Sequence, residues 1–487
     1  MNFSGLFLLG LAHFLAGRGI ISMFRVKEKL LITICMSLIV GTVCFCALPT
    51  ILEVCHIPIT KASVAGIIAV FVAASFGTQA HRLNYSIFKK VPPFRLRLYE
   101  IIFICLFIGL MIPSVWRCFY YPPAARDILS GPEPLAEYTV REHKMINSVF
   151  SLDLWGTNNQ HKPPFIWGLQ VIYKLFVHQF GQLWLSILVL SFLTWLYCVL
   201  RDKIHPLFVG GIMLYFIAMP DPYGYTYIIL YDYSNMILFA LAVYYLVRHL
   251  MSKEMNLFYF SAFLFGLATL IRSETLIFAG MFYPLLLLVM IKDKVPMPKM
   301  AWRAGIFILP SFFFYYAWIG IFLKYYMPGG FELDNQVTTD WANVAPLFTR
   351  MKEIITVLLF SKNTNFLYGH IHFVFLVVFV ADCVIYRRFD KVRLFFLYAI
   401  AVVYIGLPVM GYITPLFDLV NTTKRGMYKI FPIMVFYMAN SPLLLKWSGA
   451  LRSYEQPATK DVVKPQPVAA VNHPSIKNKK TGRATRR

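Results

Sequence analysis

Apolar stretches of about 20 residues alternate with short polar loops along most of the chain. In hydrocarbon, such a stretch can satisfy its own backbone hydrogen bonds only as a helix. The pattern therefore predicts an all-α, polytopic integral membrane protein with about 13 transmembrane helices. The predicted spans cover residues 3 to 23, 30 to 51, 61 to 80, 99 to 117, 183 to 200, 206 to 220, 229 to 248, 256 to 271, 275 to 291, 302 to 324, 371 to 386, 394 to 412 and 428 to 446.

Composition agrees with this pattern and argues against a water-soluble protein. Of the 487 residues, 59% are hydrophobic and 14% are charged, with a mean hydropathy of +0.63. The net charge of +23 comes from lysines and arginines that lie mainly in short loops and near the C terminus. These cations do not interleave with aromatic residues in the way that stacks nucleic acid bases, so we expect no nucleic acid partner.

The basic loops predict the orientation of the helices, because Lys and Arg resist translocation. They all fall on one side of the predicted bundle, which we assign to the cytoplasm, at 25 to 29, 81 to 97, 201 to 203, 248 to 254, 292 to 294 and 387 to 393. We expect a multi-pass protein of a bacterial inner or plasma membrane with a cytoplasmic C terminus. The basic tail at 448–487 is predicted to be disordered and to touch anionic lipid.

The opposite, outer side receives the long outer loop 118–165 and shorter polar segments near 221–233 and 327–370. Within the outer loop, apolar residues at helical spacing predict a helix that lies on the membrane surface, namely Leu135, Tyr138, Met145 and Val149. The run that follows Pro164 is too short to span and predicts a second interfacial helix. We therefore expect Lys162 at the boundary between water and lipid.

Cysteine usage and the N terminus add little to this picture. Most of the eight cysteines lie inside apolar stretches, where a thiol behaves as a small hydrophobic group. Cys55 and Cys118 fall near the outer face, and a disulfide between them stays open. The first apolar run carries Arg18 and lacks a convincing cleavage site, so we expect it to be retained as a span.

Several motifs in and after the outer loop resemble one superfamily of membrane enzymes. The loop contains "AEY", a "REHKM" helix, a following aspartate and "KPPF", and "KLFVHQFG" precedes the next span. Later segments are "YDYSNMILFALAVYYLVR", "GLATLIRSETLIF" and "NTTKRGMYKIFPIMVFYMA". In this order they resemble the GT-C glycosyltransferases, closest to the branch of protein O-mannosyltransferases and lipid A aminoarabinose transferases. The resemblance covers roughly residues 95–447 as a catalytic core, which leaves 1–94 as additional N-terminal transmembrane helices.

The resemblance implies a membrane glycosyltransferase with its active site on the non-cytoplasmic side. Such an enzyme takes a sugar from a polyprenyl-phosphate donor and passes it, by inverting displacement, to a glycan, lipid or protein acceptor. A carboxylate must remove the acceptor proton, and the motif position implies Glu133 first, with Asp153 and Glu137 behind it. Each of these also fits an ordinary solvated loop carboxylate, and Glu137 fits an ion-pair partner of Arg141.

The departing phosphate needs cationic partners, because negative charge builds there in the transition state. The expected donor phosphate-binding residues are Lys162, Arg272, Lys424 and Arg425. Alternatively, Lys162 snorkels at the interface and Arg272 pairs with Glu274. Asp232 lies in an apolar aromatic run, where a carboxylate is costly without a partner or a task. It is therefore a candidate for binding the acceptor or a metal, or a structural acid among tyrosines, whereas Asp221 is read as a turn former.

No cofactor is expected as a requirement, and a divalent metal stays open. His143, His161, His370 and His372 match no zinc-site spacing and are read as polar loop residues. Two rival functions remain: a flippase or transporter of lipid-linked glycan, and a glycan polymerase or ligase. A transporter would concentrate charges at mid-bilayer, whereas here the ionisable residues gather at outer helix ends, which favours the enzyme.

Overall fold

The structure is a computed structural model that describes residues 2–77, 96–151, 161–327, 343–387, 389–413 and 422–455. Across these ranges the chain forms helices and contains no β-strand, which confirms the all-α prediction. Asp153 and most of the C-terminal tail lie outside the described residues.

The N-terminal helices are α1 (Phe3–Met23), α2 (Leu30–Phe45), α3 (Leu48–Val54) and α4 (Lys61–Phe76). Helices α1 and α2 cross at close range because both carry glycine at the crossing. A Cβ atom at Gly17 would collide with the Ser37 carbonyl, and one at Gly41 would collide with the His13 carbonyl. Small residues at such crossings let helix backbones approach each other in a membrane.

The next long helix leads into the outer loop, and the described parts of that loop form short helices. In chain order the helices are α5 (Leu98–Tyr120), α6 (Arg126–Leu129), α7 (Pro132–Glu142) and α8 (Phe165–Phe176), with a 3₁₀ turn at Ser148–Ser151. Helix α7 contains Leu135 and Tyr138 of the predicted surface helix, but it ends at Glu142. Leu135, Met145 and Val149 are buried in the protein, so the prediction that this stretch lies on the membrane surface is wrong for them. Helix α8 corrects a prediction: almost all of its side chains are buried in the protein instead of lying at an interface. Its apolar surface is covered by α2, α3, α7 and α9.

The remaining core continues through helices that mostly coincide with predicted spans. They are α9 (Leu183–Arg201), α10 (Pro206–Ala218), α11 (Pro220–Gly224), α12 (Tyr231–Ser252), α13 (Met255–Ile271), α14 (Thr275–Gly280), α15 (Tyr283–Lys292), α16 (Met297–Tyr315), α17 (Lys324–Tyr326), α18 (Ala345–Glu353), α19 (Lys362–Leu367), α20 (Ile371–Ala381), α21 (Lys391–Ile413), α22 (Lys424–Gly426), α23 (Phe431–Ala439) and α24 (Pro442–Glu455). Segments of π-helix at Tyr316–Leu323, Ile354–Leu359 and Asp382–Tyr386 extend three of them.

Eight helices in the described ranges are long and apolar enough to cross a membrane. The count rises to nine if α22–α24, which bends by 54°, forms one span. The chain is thus a multi-pass membrane protein by length and composition, while the predicted number of about 13 spans stays a prediction. Pro206–Ala218 and Met255–Ile271 are also apolar helices, but they are shorter than these eight.

Ion pairs distinguish the two ends of the bundle. Asp232 and Arg248 stand 16 residues apart on α12, which places them roughly 24 Å apart along the axis. Arg248 pairs with Glu28, and the same end carries the pairs Lys29–Asp202, Arg201–Glu100 and Lys253–Asp293. We call the end that carries Asp232 the site end.

Cys55 and Cys118 do not form a disulfide in the structure. Cys55 is exposed, Cys118 is buried, and both are free thiols. The disulfide left open by the sequence is therefore absent. Cys118 instead packs toward the carbonyl oxygens of Thr226 and Tyr227 at 3.9 and 4.0 Å.

Candidate functional site

A chain of ion pairs joins four segments at the site end. We call it the charged cluster, and it consists of Asp127, Asp232, Arg272, Glu274, Arg425 and Lys429. Its centre is Asp232, on the first turn of α12 with only 2% of its surface exposed. Asp232 pairs with Arg272, and its other oxygen lies 3.7 Å from Nε of Arg425.

A break between two helices brings Arg272 to Asp232. Helix α13 ends at Ile271, Arg272 adopts an extended backbone, and α14 begins at Thr275. Asn235 stabilises this break from α12: its side-chain amide donates to the Ala268 carbonyl at 2.8 Å and to Thr275 Oγ1 at 2.9 Å. The buried guanidinium of Arg272 then also pairs with Glu274, the partner named as the alternative reading of the sequence.

Arg425 links this buried centre to the outer loop. Its Nη1 lies 2.7 Å from Oδ2 of Asp127, on the short helix α6. Asp127 directly follows the proline-rich turn after α5, and its side chain is 30% exposed. The sequence reasoning missed Asp127. The signal that could have found it is its position as the first carboxylate after the membrane crossing that opens the core.

Lys162 stands beside the cluster with no carboxylate of its own. Its ammonium lies 5.2 Å from the centroid of the Tyr231 ring, a cation–π contact. Among the described residues no carboxylate lies within ion-pair distance of it. Burial, and then repulsion by Arg272, lower the pKa of Lys162 to about 8, against partial compensation by Asp232 and Asp127.

Lys429 and Lys424 follow one another closely in sequence but face different partners. Lys429 is almost fully buried and lies 3.9 Å from Glu274. Lys424 is 3.2 Å from Asp221, which also accepts a hydrogen bond from the Tyr428 hydroxyl at 2.5 Å. Asp221 thus lies in the first turn of α11 and contacts Lys424 and Tyr428 of the last core helix, a larger role than the predicted turn former.

The predicted base Glu133 lies in another set of contacts. Its carboxylate is 2.7 Å from the Lys174 ammonium and accepts a hydrogen bond from Gln170 at 2.7 Å. Both partners lie on α8, two to three helical turns beyond Lys162, which lies just before the first residue of that helix. In the described part of the chain, Glu133 and Lys162 share no partner, so the structure does not bring these two predicted residues together.

Glu137 belongs to the same set of contacts as Glu133. It lies 2.9 Å from Arg141, as the alternative reading expects, and 3.2 Å from Lys174. Burial alone would raise the pKa of the Glu137 carboxyl, but Lys174 and Arg141 outweigh it and hold that pKa below its usual value. Glu137 is therefore an ion-pair partner of these two cations.

The histidines in the described ranges do not form a metal site. The described residues contain no group of three or more His, Cys, Asp or Glu side chains placed to hold a metal. His161 lies against Met327, and the Trp318 indole donates to its carbonyl at 2.9 Å. Asp232, the candidate metal ligand, faces two guanidinium groups, and that positive surrounding suits an anion better than a metal cation.

A pocket of about 310 Å³ adjoins the cluster. Asp127 and Arg425 form part of its wall, together with Arg117, Tyr121, Arg126 and Tyr227. We call it the Arg117 pocket. It gives a ligand access to the exposed side of the Asp127 carboxylate.

No family model matches the chain, and neither does any curated protein or solved structure compared with it. Counting Lys162, four cations face three carboxylates. Such an arrangement can hold an additional anion next to a partly exposed carboxylate.

Proposed function

We propose that the chain is a membrane glycosyltransferase that moves a sugar from a polyprenyl-phosphate donor to an acceptor at the non-cytoplasmic face. The observation that carries this proposal is Lys162, a half-buried ammonium without a carboxylate partner in the described residues, beside a charged cluster that ends in the outer-loop carboxylate of Asp127. Buried cations cost free energy unless an anion compensates them, so the site favours an anionic ligand.

The donor phosphate is the anion that fits this position. Lys162 and Arg272 would contact the phosphate oxygens, and Arg425 and Lys429 would add positive potential from behind. Because the leaving phosphate gains negative charge as the bond to the sugar breaks, these cations stabilise the transition state more than the ground state. Lys424 pairs with Asp221, which lies outside the charged cluster, and contributes less.

Asp127 supplies the base in this proposal. The acceptor hydroxyl oxygen bonds to C1 of the sugar, the bond from C1 to the phosphate oxygen breaks, and its electron pair leaves with the phosphate. The acceptor proton passes to the Asp127 carboxylate. Asp127 is favoured over Glu133 because it meets both the charged cluster and an open pocket, whereas Glu133 is held by Lys174 and Gln170.

The orientation of the site is part of the same proposal. The end opposite the site end carries Lys29, Arg201, Arg248 and Lys253 near its loops. By the positive-inside rule that end is cytoplasmic, which puts the site end, where Asp127 and Asp232 lie, on the outer side. Helix α24 then lies in the cytoplasm, with the C terminus after it.

Reconstitution tests the proposal and its flippase rival together. Purified protein in vesicles would receive a panel of radiolabelled polyprenyl-phosphate sugars, scored for transfer to added acceptors and for movement between leaflets. We expect transfer by the wild type and a loss of about a hundredfold or more in Asp127→Asn. Glu142→Gln, in an exposed contact of the same loop, controls for folding.

Each other outcome has a definite meaning. Transfer that survives in Asp127→Asn but is lost in Glu133→Gln would show that Glu133, and not Asp127, is the base. Movement of lipid-linked sugar without any transfer, across the whole donor panel, would contradict the enzyme and support the transporter.

A further inference from the structure

The Arg117 pocket contains more positive charge than its own carboxylate can compensate. Three guanidinium groups line it, those of Arg117, Arg126 and Arg425, but Asp127 is its single acidic residue and is already paired with Arg425. Neither Arg117 nor Arg126 forms an ion pair within the described ranges of the chain. The pocket therefore has two uncompensated cations.

Aromatic rings hold one of these cations in place. The Arg117 guanidinium lies 5.2 Å from the Tyr121 ring centroid and 5.0 Å from the Tyr227 ring centroid. Cation–π contacts fix the plane of a guanidinium without consuming its hydrogen-bond donors. Arg117 is thus preorganised with its N–H groups free for an oxyanion.

The pocket lies beside the lipid-facing surface of α5. Ile112, Trp116 and Tyr120 of that helix are more than half exposed, as expected for side chains that face lipid. Trp116 and Tyr120 stand next to the pocket residue Tyr121, with ring centroids of Trp116 and Tyr121 5.6 Å apart. Tryptophan and tyrosine favour the level of the lipid headgroups, so the pocket opens at the depth of lipid phosphates.

We propose that the Arg117 pocket binds the phosphate of a membrane-anchored acceptor. The inference rests on the proposed function, because it names the class of substrate that approaches Asp127. Asp127 and Arg425 line the pocket, and Arg425 Nε also lies 3.7 Å from Asp232 of the charged cluster, which is proposed to hold the donor phosphate. Asp127 borders both, which is where a base between donor and acceptor must stand. Arg117 and Arg126 are both exposed, so an anionic headgroup can reach them.

Equilibrium binding tests this proposal without any turnover, so its outcome can be read even if no sugar donor is ever found. The probe is radiolabelled phosphatidic acid, bound by the full chain in neutral-detergent micelles. We expect the double variant Arg117→Gln/Arg126→Gln to bind it about tenfold or more weakly than the wild type, because two charge-assisted contacts are lost. The matched control is Lys61→Gln/Lys362→Gln, which removes two exposed lysines that begin helices at the same end.

Two further measurements distinguish a lipid phosphate from free phosphate, and the Arg117 pocket from the proposed donor phosphate position at Lys162. Inorganic phosphate at millimolar concentration should not displace the lipid, and full displacement would overturn the membrane-anchored acceptor. Lys162→Gln should retain phosphatidic acid binding. Equal binding by the arginine double variant and the wild type, or loss in Lys162→Gln alone, would overturn the assignment to this pocket.

Discussion

At the scale of single residues, the protonation of Lys162 is the most sensitive feature of the site. Its ammonium must be charged to hold a phosphate, yet burial and Arg272 lower its pKa to about 8. The charged form is therefore complete well below pH 8 and is lost as the pH rises through that value. We expect kcat/KM for the sugar donor to fall about tenfold per pH unit on the alkaline side, since this parameter reports the free enzyme.

Lys162→Arg provides the control for this pH dependence. An arginine stays protonated throughout the range, so the alkaline fall should move up by more than one pH unit while the acidic side stays unchanged. Measurement of kcat/KM from pH 6 to 10 for both proteins checks this. An identical alkaline limb in the two proteins would show that another group titrates there.

Sequence reasoning at this scale identified single residues better than their partners. Asp232 is predicted because a carboxylate in an apolar run needs a partner, and Lys162, Arg272 and Arg425 are predicted because a departing phosphate needs cations. The four residues converge at one end of the bundle. Asp127 was missed because the acidic position was sought at the motif around Glu133. Only the fold shows that Glu133 is held by Lys174 while Asp127 reaches Arg425.

At the scale of elements, the N-terminal helices clamp the outer loop. The Glu53 carboxylate on α3 accepts hydrogen bonds from the backbone amides of Met145 at 2.6 Å and Ile146 at 3.3 Å. The Ile59 amide donates to the His143 carbonyl at 2.7 Å. Glu53 and Ile59, which belong to the N-terminal segment that the resemblance leaves outside the catalytic core, therefore help to set the position of the loop that carries the proposed site.

We expect Glu53→Ala to loosen this part of the loop. Removal of the acceptor leaves two amides without partners, at a local cost of about 1–3 kcal/mol. Hydrogen exchange of a peptide covering Met145 and Ile146 should accelerate by about tenfold or more, whereas exchange in α12 should not change. Cys55→Ser, at an exposed neighbouring position, is the control. Unchanged exchange in Glu53→Ala would contradict the clamp.

The sequence predicts where helices begin and end better than it predicts whether their apolar faces contact lipid or other helices. Apolar length and charged ends placed α1, α9 and α12 within a few residues of their observed bounds. The same pattern misjudged α8, since an amphipathic helix looks alike whether its apolar face meets lipid or other helices. Contacts such as Gly168 against the Cys46 carbonyl, which bury α8 against the N-terminal helices, are not encoded in periodicity.

At the scale of the whole molecule, orientation is the property that the proposal needs and that chemistry can test. In a background with all eight cysteines replaced, Cys55 would be restored in one protein and Lys446→Cys on α24 introduced in another. We expect a membrane-impermeant maleimide to label Cys55 in intact cells and the α24 cysteine only after permeabilisation. The reverse labelling would place the site end in the cytoplasm and contradict an outer-face transferase.

The proposed function requires that the charged cluster and Lys162 hold a lipid-linked phosphate. The most direct measurement is equilibrium binding of polyprenyl phosphate to the purified full chain, to Lys162→Gln and to Lys61→Gln, an exposed lysine at the same end. We expect Lys162→Gln to bind polyprenyl phosphate about tenfold or more weakly than the wild type does, and Lys61→Gln to bind it like the wild type. Equal affinity of all three proteins for polyprenyl phosphate would contradict it.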